Sequence, residues 1–439
     1  MTDHRNTAEA IFRHALRAVD PFTLVKNSIR IEGKTLHIVR QAFELEQLGR
    51  IYVIGAGKAA APMAQAAETI LGSHITAGVI ITKYGHGLPL QYIQVIEAAH
   101  PLPDASGLQG TQAILSILSQ TRENDLVIVL LSGGGSSLLA DVPPDCTLTE
   151  LQNGMEAQLH SGADIEEMNT VRKHLSAVKG GQLARAAYPA RMVTLILSDV
   201  VGDNLSVIAS GPTVADPTTF GDAWDIILKY NLTEKIPDAI LRHLQSGKAG
   251  HIPETPKPGD PVWNNVSNEL IGSNQLALQA ARKKAEALGF YTQILTDQMT
   301  GEAHNVALNL LEQAKIIASD KQNPRPVCLL AGGETTVTVC GNGLGGRNQE
   351  LALVAAIALE HQPGITLLAA GTDGTDGPTD ATGAVVDART LLTAKSKGMD
   401  ASDFLSRNDS YHFFQHVGGH LLTGSTQTNV MDLVIILIA

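Results

Sequence analysis

The chain reads as an α/β protein of two domains, on three observations. Short apolar runs recur along it: Leu126–Leu131, Met192–Leu197, Cys328–Ala331 and Ile365–Ala370. None alternates in the manner of a half-exposed strand, so each reads as a strand covered on both faces. Glycine-rich loops follow these runs and longer periodic segments follow the loops, which is the strand–loop–helix order of an open parallel sheet. Of the 439 residues, 44% are hydrophobic and only 4% aromatic, so the core is Ala, Val, Leu and Ile, which suits helices packed on such a sheet. Gly247–Pro261, rich in Pro, Gly and Lys, reads as a linker or long surface loop. It separates an N-terminal domain (residues 1–250) from a C-terminal α/β domain (residues 265–439). The first is expected to hold a Rossmann-like open parallel sheet, and an active-site cleft is expected between the two.

Composition excludes several classes of function. The net charge of −12 argues against a nucleic-acid backbone as partner, so positive charge for an anionic substrate must be placed locally. There is no apolar run of about 18 residues or more, so no spanning helix and no membrane partner are expected. Cys146, Cys328 and Cys340 lack metal-ligand spacing and read as reduced thiols of a cytoplasmic protein. The N-terminus shows helical periodicity, not a signal peptide. Neither an internal repeat nor a low-complexity segment is present, and homodimerisation stays open.

In order, residues 1–45 read as one or two amphipathic helices with Ile11, Ala15, Leu16 and Val19 on one face. Ile51–Ile54 is a short strand that runs into Gly55-Ala56-Gly57-Lys58, and Ala59–Leu71 reads as a helix. Strand, Gly-X-Gly and helix can cradle a phosphate. Lys58 strengthens that reading, because a lysine at a helix start opposes the dipole. The dinucleotide fingerprint is incomplete, since Ala60 stands at the third glycine, and the NTPase phosphate-loop spacing is absent. Ala77–Thr82 and Ile93–Ala98 are further strands, and Ser106 is a plausible helix cap. After Leu126–Leu131 come Ser132, Gly133, Gly134, Gly135, Ser136 and Ser137, a second anion cradle at the end of a central strand. Thr149–Leu159 and Ile165–Ala187 read as helices; Arg172, Lys173, His174 and Lys179 on the latter read as a solvated face, with one or two of them able to reach a substrate carboxylate or phosphate as the alternative. Asp199, just past Met192–Leu197, reads equally as a metal or substrate ligand and as a turn cap.

The second domain repeats the alternation. Glu269–Ile271 and Tyr291–Leu295 read as strands, Gln275–Leu288 and Glu302–Ala318 as helices. Ala331–Leu353 is the densest stretch of the chain. Gly332 and Gly333 break a strand, Glu334 follows, and Thr335–Cys340 suits a hairpin arm. Gly341–Gly346 exposes backbone before Arg347, whose guanidinium adds a bidentate donor at the start of a helix over Leu351–Leu359. Beyond Ile365–Ala370, Gly371–Gly377 places Asp373 and Asp376 at a strand end, with Asp380 and Asp387 close behind. Two such acids suit a magnesium ion shared with phosphates; the spacing of a calcium loop is absent. A polar turn, Gly424–Asn429, precedes a terminal apolar strand, Leu433–Leu437.

Glycine loops after strands, a lysine and an arginine near helix starts, and acids at strand ends match what phosphoryl transfer requires. The serine-hydrolase elbow Gly-X-Ser-X-Gly is absent around Ser132 and Ser136. The runs Ile51–Ala64, Leu131–Leu139, Val171–Leu183, Leu197–Pro212, Gly332–Leu353 and Ala370–Asp387 together resemble the glycerate 2-kinase family. That family joins a glycerate kinase domain to a C-terminal domain containing the MOFRL region, here about residues 325–435. Some members carry an older label, hydroxypyruvate reductase. The resemblance implies transfer of the ATP γ-phosphoryl group to the 2-hydroxyl of D-glycerate, with Mg2+. It places the family's active-site lysine at Lys58, its arginine at Arg347, its acids at Glu334 and Asp373, and its asparagine at Asn429. Gly55, Gly57, Ser132, Gly133, Gly134, Gly135 and Ser136 are then expected to bind the cofactor, with the Ser132–Ser137 loop taking ATP phosphates or glycerate, and Asp199, Asp373 and Asp376 to position magnesium. Two rivals are a nicotinamide-dependent reductase and a non-catalytic binder of sugar phosphates or carboxylates.

Overall fold

The computed structural model describes residues 4–320 and 324–439. They form two compact units, one spanning Pro21–Ile271 and the other joining the segment up to Asp20 with Gly272–Ala439. The boundary thus falls beyond the expected 250–265, and the N-terminal helix His4–Ala18 belongs with the C-terminal unit. There it packs on the helix Asn274–Ala287 and on the sheet behind it. Ile11, Phe12 and Ala15 are buried, and Arg5 grips Asp387 bidentately at 2.8 and 2.9 Å. Amphipathic periodicity says that a helix covers a sheet; it does not say which one.

In the unit Pro21–Ile271 the expected second helix is short, Pro21–Ser28. A three-stranded antiparallel sheet follows it: β1 (Ile29–Glu32), β2 (Thr35–Ile38) and β3 (Gln41–Glu44). The main sheet contains β4 (Ile51–Ala56), β5 (Ile75–Lys83), β6 (Ile93–Ala98), β7 (Leu126–Leu131), β8 (Arg191–Leu197) and β9 (Val266–Gly272), in the order β6-β5-β4-β7-β8-β9. The pairs β6–β5, β5–β4, β4–β7 and β7–β8 are parallel. Counted within the sheet the order is 3-2-1-4-5-6, that of a doubly wound fold. Such sheets bind ligands outside the carboxyl ends of the strands where the order reverses, here between β4 and β7. Every residue of those two strands is buried, which accounts for their unbroken apolar character.

Two local expectations change. Asp104, not Ser106, caps the helix Ala105–Leu118, accepting from Gly107 N at 3.0 Å. The helix expected over Ile165–Ala187 is broken into Ile165–His174 and Gln182–Ala187, with Gly180 and Gly181 both at positive φ between them.

The C-terminal unit holds a mixed sheet of β10 (Tyr291–Met299), β11 (Val327–Gly333), β12 (Ile365–Gly371), β13 (Gly383–Asp387), β14 (His420–Leu421) and β15 (Asp432–Ile438). Their order is β10-β11-β15-β12-β13-β14. Only β10 and β11 pair in parallel; the terminal strand β15 runs antiparallel between β11 and β12. The run DLVIILI is buried throughout, and a central strand is the place that hides both of its faces. Because β15 is reversed, its first residue, Asp432, lies opposite the last residues of β11 and β12, Gly333 and Gly371. Gly332 and Gly333 therefore continue the strand and do not break it. Thr335–Cys340 forms no hairpin arm; Thr336 alone makes a bridge, to Glu302.

Candidate active site

The turn after β4 is closed by its own amides. Gly57 N–H donates to Ile81 O (3.1 Å), Lys58 N–H to Gly133 O (2.8 Å), Ala59 N–H to Ser132 Oγ (3.0 Å) and Ala60 N–H to Gly57 O (3.1 Å). A Cβ on Gly57, whose φ is +141°, would collide with Ser132, and one on Gly55, inside the strand, with Leu130 O. These glycines let β4 and β7 approach each other, and the amides that would cradle a phosphate are already bonded. Gly55 and Gly57 are thus corrected from ligand contacts to packing positions. Ser132 changes in the same way, since it is 1% exposed and its hydroxyl accepts from Ala59.

The cradle lies one strand over, after β7. The turn bonds of Ser132–Leu139 use the amides of Ser132, Gly135, Ser137, Leu138 and Leu139, and none uses the amide of Gly133 or Gly134. Gly134 is left-handed (φ +81°), and a Cβ there would lie 2.9 Å from the His100 ring and 3.5 Å from Lys58 Cγ. His86 Nδ1 stands 3.2 Å from Lys58 O. Lys58, His86, His100 and the Gly133–Gly134 turn thus gather at the switch point. Burial first, and then the charge of Lys58, hold the His100 pKa down at about 4. His100 is therefore neutral at physiological pH, and an arriving anion favours its protonation. Both histidines lie on loops with no motif in the sequence, so their part in the site was not legible there. Gly135 is buried against Ala209, while Ser136 Oγ lies 2.8 Å from Ser210 Oγ, which bonds Asn169 Oδ1. Ala209 and Ser210 are both left-handed (φ 52° and 59°), the kind of strain that gathers at functional sites. Asp199 is half-buried just beyond β8 in this same unit.

The basic residues expected on a solvated helix face are largely buried. Lys173 is 6% exposed beside Asp216 (3.4 Å), His174 2% and Lys179 7%. The helix packs against Phe220–Lys229, which turns this face inward.

The C-terminal unit gathers its candidates at one end of the mixed sheet. The helix Arg347–Ala358 begins at Arg347 itself, four residues earlier than expected, and Asp376 holds its first turn. Asp376 accepts from the amides of Asn348 (3.0 Å) and Gln349 (2.8 Å) and from both of their side chains. At 2% exposure, with both oxygens engaged, Asp376 is corrected from magnesium ligand to helix anchor. Arg347 donates Nε and Nη2 to the fully buried Asp432 (2.6 and 2.9 Å), and its Nη1 lies 2.8 Å from Glu334. Burial opposes the arginine's charge, but Asp432 and then Glu334 and Asp376 more than offset this and raise its pKa. Asp432 was not expected. Its one signal is an acid at the head of a run that otherwise has no polar residue. Asp373 stands nearby: a Cβ on Gly371 would lie 3.4 Å from both the Asp373 and the Asp432 carboxylates. Thr372 Oγ1 ties this loop to the Asn429 loop by donating to Met431 O (2.6 Å) and accepting from Val430 N (2.8 Å). Glu334, Arg347, Asp373 and Asn429 therefore share one sheet end, and Lys58 with the Gly133–Ser136 turn sits in the other unit.

A doubly wound sheet with a lysine and a glycine turn at its switch point, joined to a unit with a clamped arginine among acids, defines a two-domain α/β protein built to handle anions. The domain of unknown function DUF4147 matches residues 7–245, and the MOFRL family matches residues 327–432. The chain is 43% identical to a glycerate 2-kinase of Pyrococcus horikoshii, over 99% of this chain and 98% of that one. It is 44% identical to a D-glycerate 2-kinase of Thermotoga maritima, over 95% and 99%. It is 41% identical to a putative hydroxypyruvate reductase of Agrobacterium vitis, over 99% and 94%. Among solved structures, a glycerate kinase of Thermotoga maritima matches with a TM-score of 0.89 and 42% identity, covering all of both chains. The chain belongs to the glycerate 2-kinase family, DUF4147 joined to MOFRL.

Proposed function

We propose that this protein is an ATP-dependent kinase that phosphorylates D-glycerate at its 2-hydroxyl, giving 2-phosphoglycerate and ADP. The observation that carries the reading is Lys58 set against the Gly133–Gly134 turn at the switch point of the doubly wound sheet. A turn with two uncommitted amides and a lysine suits phosphate oxygens. Full-length relatives named as glycerate kinases support the substrate.

Lys58 and the turn bind phosphate oxygens. Arg347, aimed by Asp432, neutralises charge on the transferring group. Glu334 or Asp373 takes the proton from the acceptor hydroxyl, and Asn429 positions it by hydrogen bonding. Magnesium, arriving with ATP, would be held by Glu334 and Asp373, with Asp199 kept as an alternative ligand; it supplies charge neutralisation on the phosphates. The donor set fits that use. Among the described residues no group of three or more His, Cys, Asp or Glu forms a metal site, and one or two carboxylates with phosphates and water suffice for magnesium. No described helix is long and apolar enough to cross a membrane, and a cytoplasmic location is proposed from the cysteine usage.

A reductase reading has two supports, the name of the Agrobacterium relative and a strand order shared with dinucleotide-binding folds. Against it, the amides of residues 57–60, where a pyrophosphate would sit, are all bonded within the protein. The test is ADP release from ATP with D-glycerate, with and without magnesium, run beside NADH oxidation with hydroxypyruvate. The kinase reading expects glycerate-dependent ADP release that chelation of magnesium abolishes. NADH oxidation without ADP release overturns it.

A further inference from the structure

The turn that presents Gly133 and Gly134 also walls a pocket within the unit Pro21–Ile271. Ser136, Ser137, Asp141, Arg172 and Lys179 supply most of its polar lining, and Leu151 and Met155 close it with apolar surface. Its charges do not balance. Lys179 is buried, donates to Leu139 O at 2.7 Å and stands 3.6 Å from Asp141. Asp141 is also held by Ser176 Oγ (2.6 Å) and by the amide of Ala177. Arg172 Nε is buried with no hydrogen-bond partner, and among the described residues no carboxylate pairs with this guanidinium. Burial of Arg172 accordingly lowers its pKa. Gln158, 3% exposed and also lining the pocket, has a buried amide oxygen without a partner.

Two cations and one carboxylate leave a single positive charge in excess. A buried guanidinium Nε–H without a partner is unfavourable unless something satisfies it. The excess of one suits a monoanion. A triphosphate would meet Asp141 with several negative charges, and the apolar wall offers it nothing. The unpartnered Gln158 oxygen calls for a ligand that carries a hydroxyl donor, and Ser137 Oγ, which donates to Gly134 O (3.2 Å), can still accept. We infer that this pocket binds the carboxylate of a small hydroxy acid, with Arg172 as its principal donor and Ser137 and Gln158 engaging its hydroxyl side. The choice of glycerate as that acid rests on the kinase reading; the class, a hydroxylated monocarboxylate, rests on the pocket. Nucleotide phosphates and acceptor carboxylate would then meet two faces of one turn, with Gly133–Gly134 serving the first and Ser136–Ser137 the second.

The test uses the full chain and the variants Arg172→Gln and Ser137→Ala. D-Glycerate is titrated calorimetrically without ATP, and KM is measured for both substrates. Arg172→Gln is expected to weaken glycerate binding about tenfold or more, the scale of a lost charge-assisted bond, with the KM for ATP within about twofold of wild type. Ser137→Ala is expected to weaken it about threefold to tenfold, the scale of a neutral hydrogen bond. Removing an unpaired, partly buried charge should leave the unliganded Arg172→Gln protein at least as heat-stable as wild type, and glycerate should raise the melting temperature of wild type more than that of the variant. Wild-type affinity in folded Arg172→Gln, a rise confined to the KM for ATP, or no glycerate binding by wild type overturns the assignment. If Arg172→Gln fails to fold, an unchanged glycerate affinity in Ser137→Ala overturns it. Arg172-dependent glycerate binding without phosphoryl transfer contradicts the kinase reading and leaves the pocket standing. Transfer indifferent to Arg172 does the reverse.

Discussion

After β4, the turn Gly55–Lys58 directs its amides into the protein, toward Ile81 O and Gly133 O, and fits its glycines against Leu130 and Ser132. After β7, the turn Ser132–Ser137 leaves the amides of Gly133 and Gly134 out of its own bonds and brings Gly134 up to His100 and Lys58. In sequence both are glycine turns after apolar strands, and both suit an anion. The first is a joint that lets two central strands close, and the second is the surface we propose for the ligand. Glycine content therefore marks close approach, and only the packing tells whether the approaching atom belongs to the protein or to a ligand.

The contrast can be broken most directly at Lys58. Lys58→Ala is expected to lower turnover by about a hundredfold or more, the scale of losing one transition-state donor, with circular dichroism unchanged. Near-normal turnover in the folded variant would remove the lysine from the site. Paired substitutions at the two turns sharpen the comparison. Gly57→Ala should lose about 2 kcal/mol or more of stability, because its Cβ meets Ser132 and its φ is unsuited to alanine. Gly134→Ala should cost only about 1 kcal/mol of stability but raise the KM for ATP about tenfold by pushing on His100 and Lys58. Denaturant midpoints and steady-state kinetics read both, and equal effects at the two glycines would erase the distinction. A smaller effect is expected at Asp432. Asp432→Asn keeps the shape but loses the clamp on Arg347, lowering turnover about tenfold and stability by about 1–3 kcal/mol. Unchanged kinetics would make that clamp purely structural.

The smallest effect is the pH response of His100. Its pKa of about 4 lies below the ordinary 6.5, so between those values the unfolded chain binds a proton that the folded chain does not. Its contribution to stability is complete above pH 6.5 and is lost as the pH falls toward 4. His100→Gln should flatten this slope by on the order of 1 kcal/mol, allowing for solvent screening of a partly exposed ring. Urea midpoints at pH 7 and pH 5 measure it, and an unaltered slope would place the titration elsewhere.

The central strands were legible because nothing but burial on both faces explains runs such as LVIVLL. Lys58 and Arg347 were legible because charge at a helix start stands out against an apolar background. His86, His100 and Asp432 were not, because they reach their places through pairings between segments distant in sequence. The reversal of β15 is the clearest case. No local signal says that a terminal strand inserts between β11 and β12, yet that insertion carries Asp432 to Arg347. Asp376 shows the opposite failure: its motif suggested a metal, while the start of the helix Arg347–Ala358 takes both of its oxygens. The largely buried basic cluster at Arg172–Lys179 reads from sequence as a solvated face first and a carboxylate or phosphate contact second, because charge composition alone cannot report a pocket.

Phosphorus NMR of the products formed from D-glycerate, ATP and magnesium reads the transfer and the acceptor hydroxyl together. The resonance of 2-phosphoglycerate is expected to grow in step with ADP. A 3-phosphoglycerate resonance would keep the kinase and reject the assigned hydroxyl. No phosphorylated product, with NADH consumed on hydroxypyruvate in its place, would make the protein a reductase and Gly55–Lys58 a dinucleotide turn.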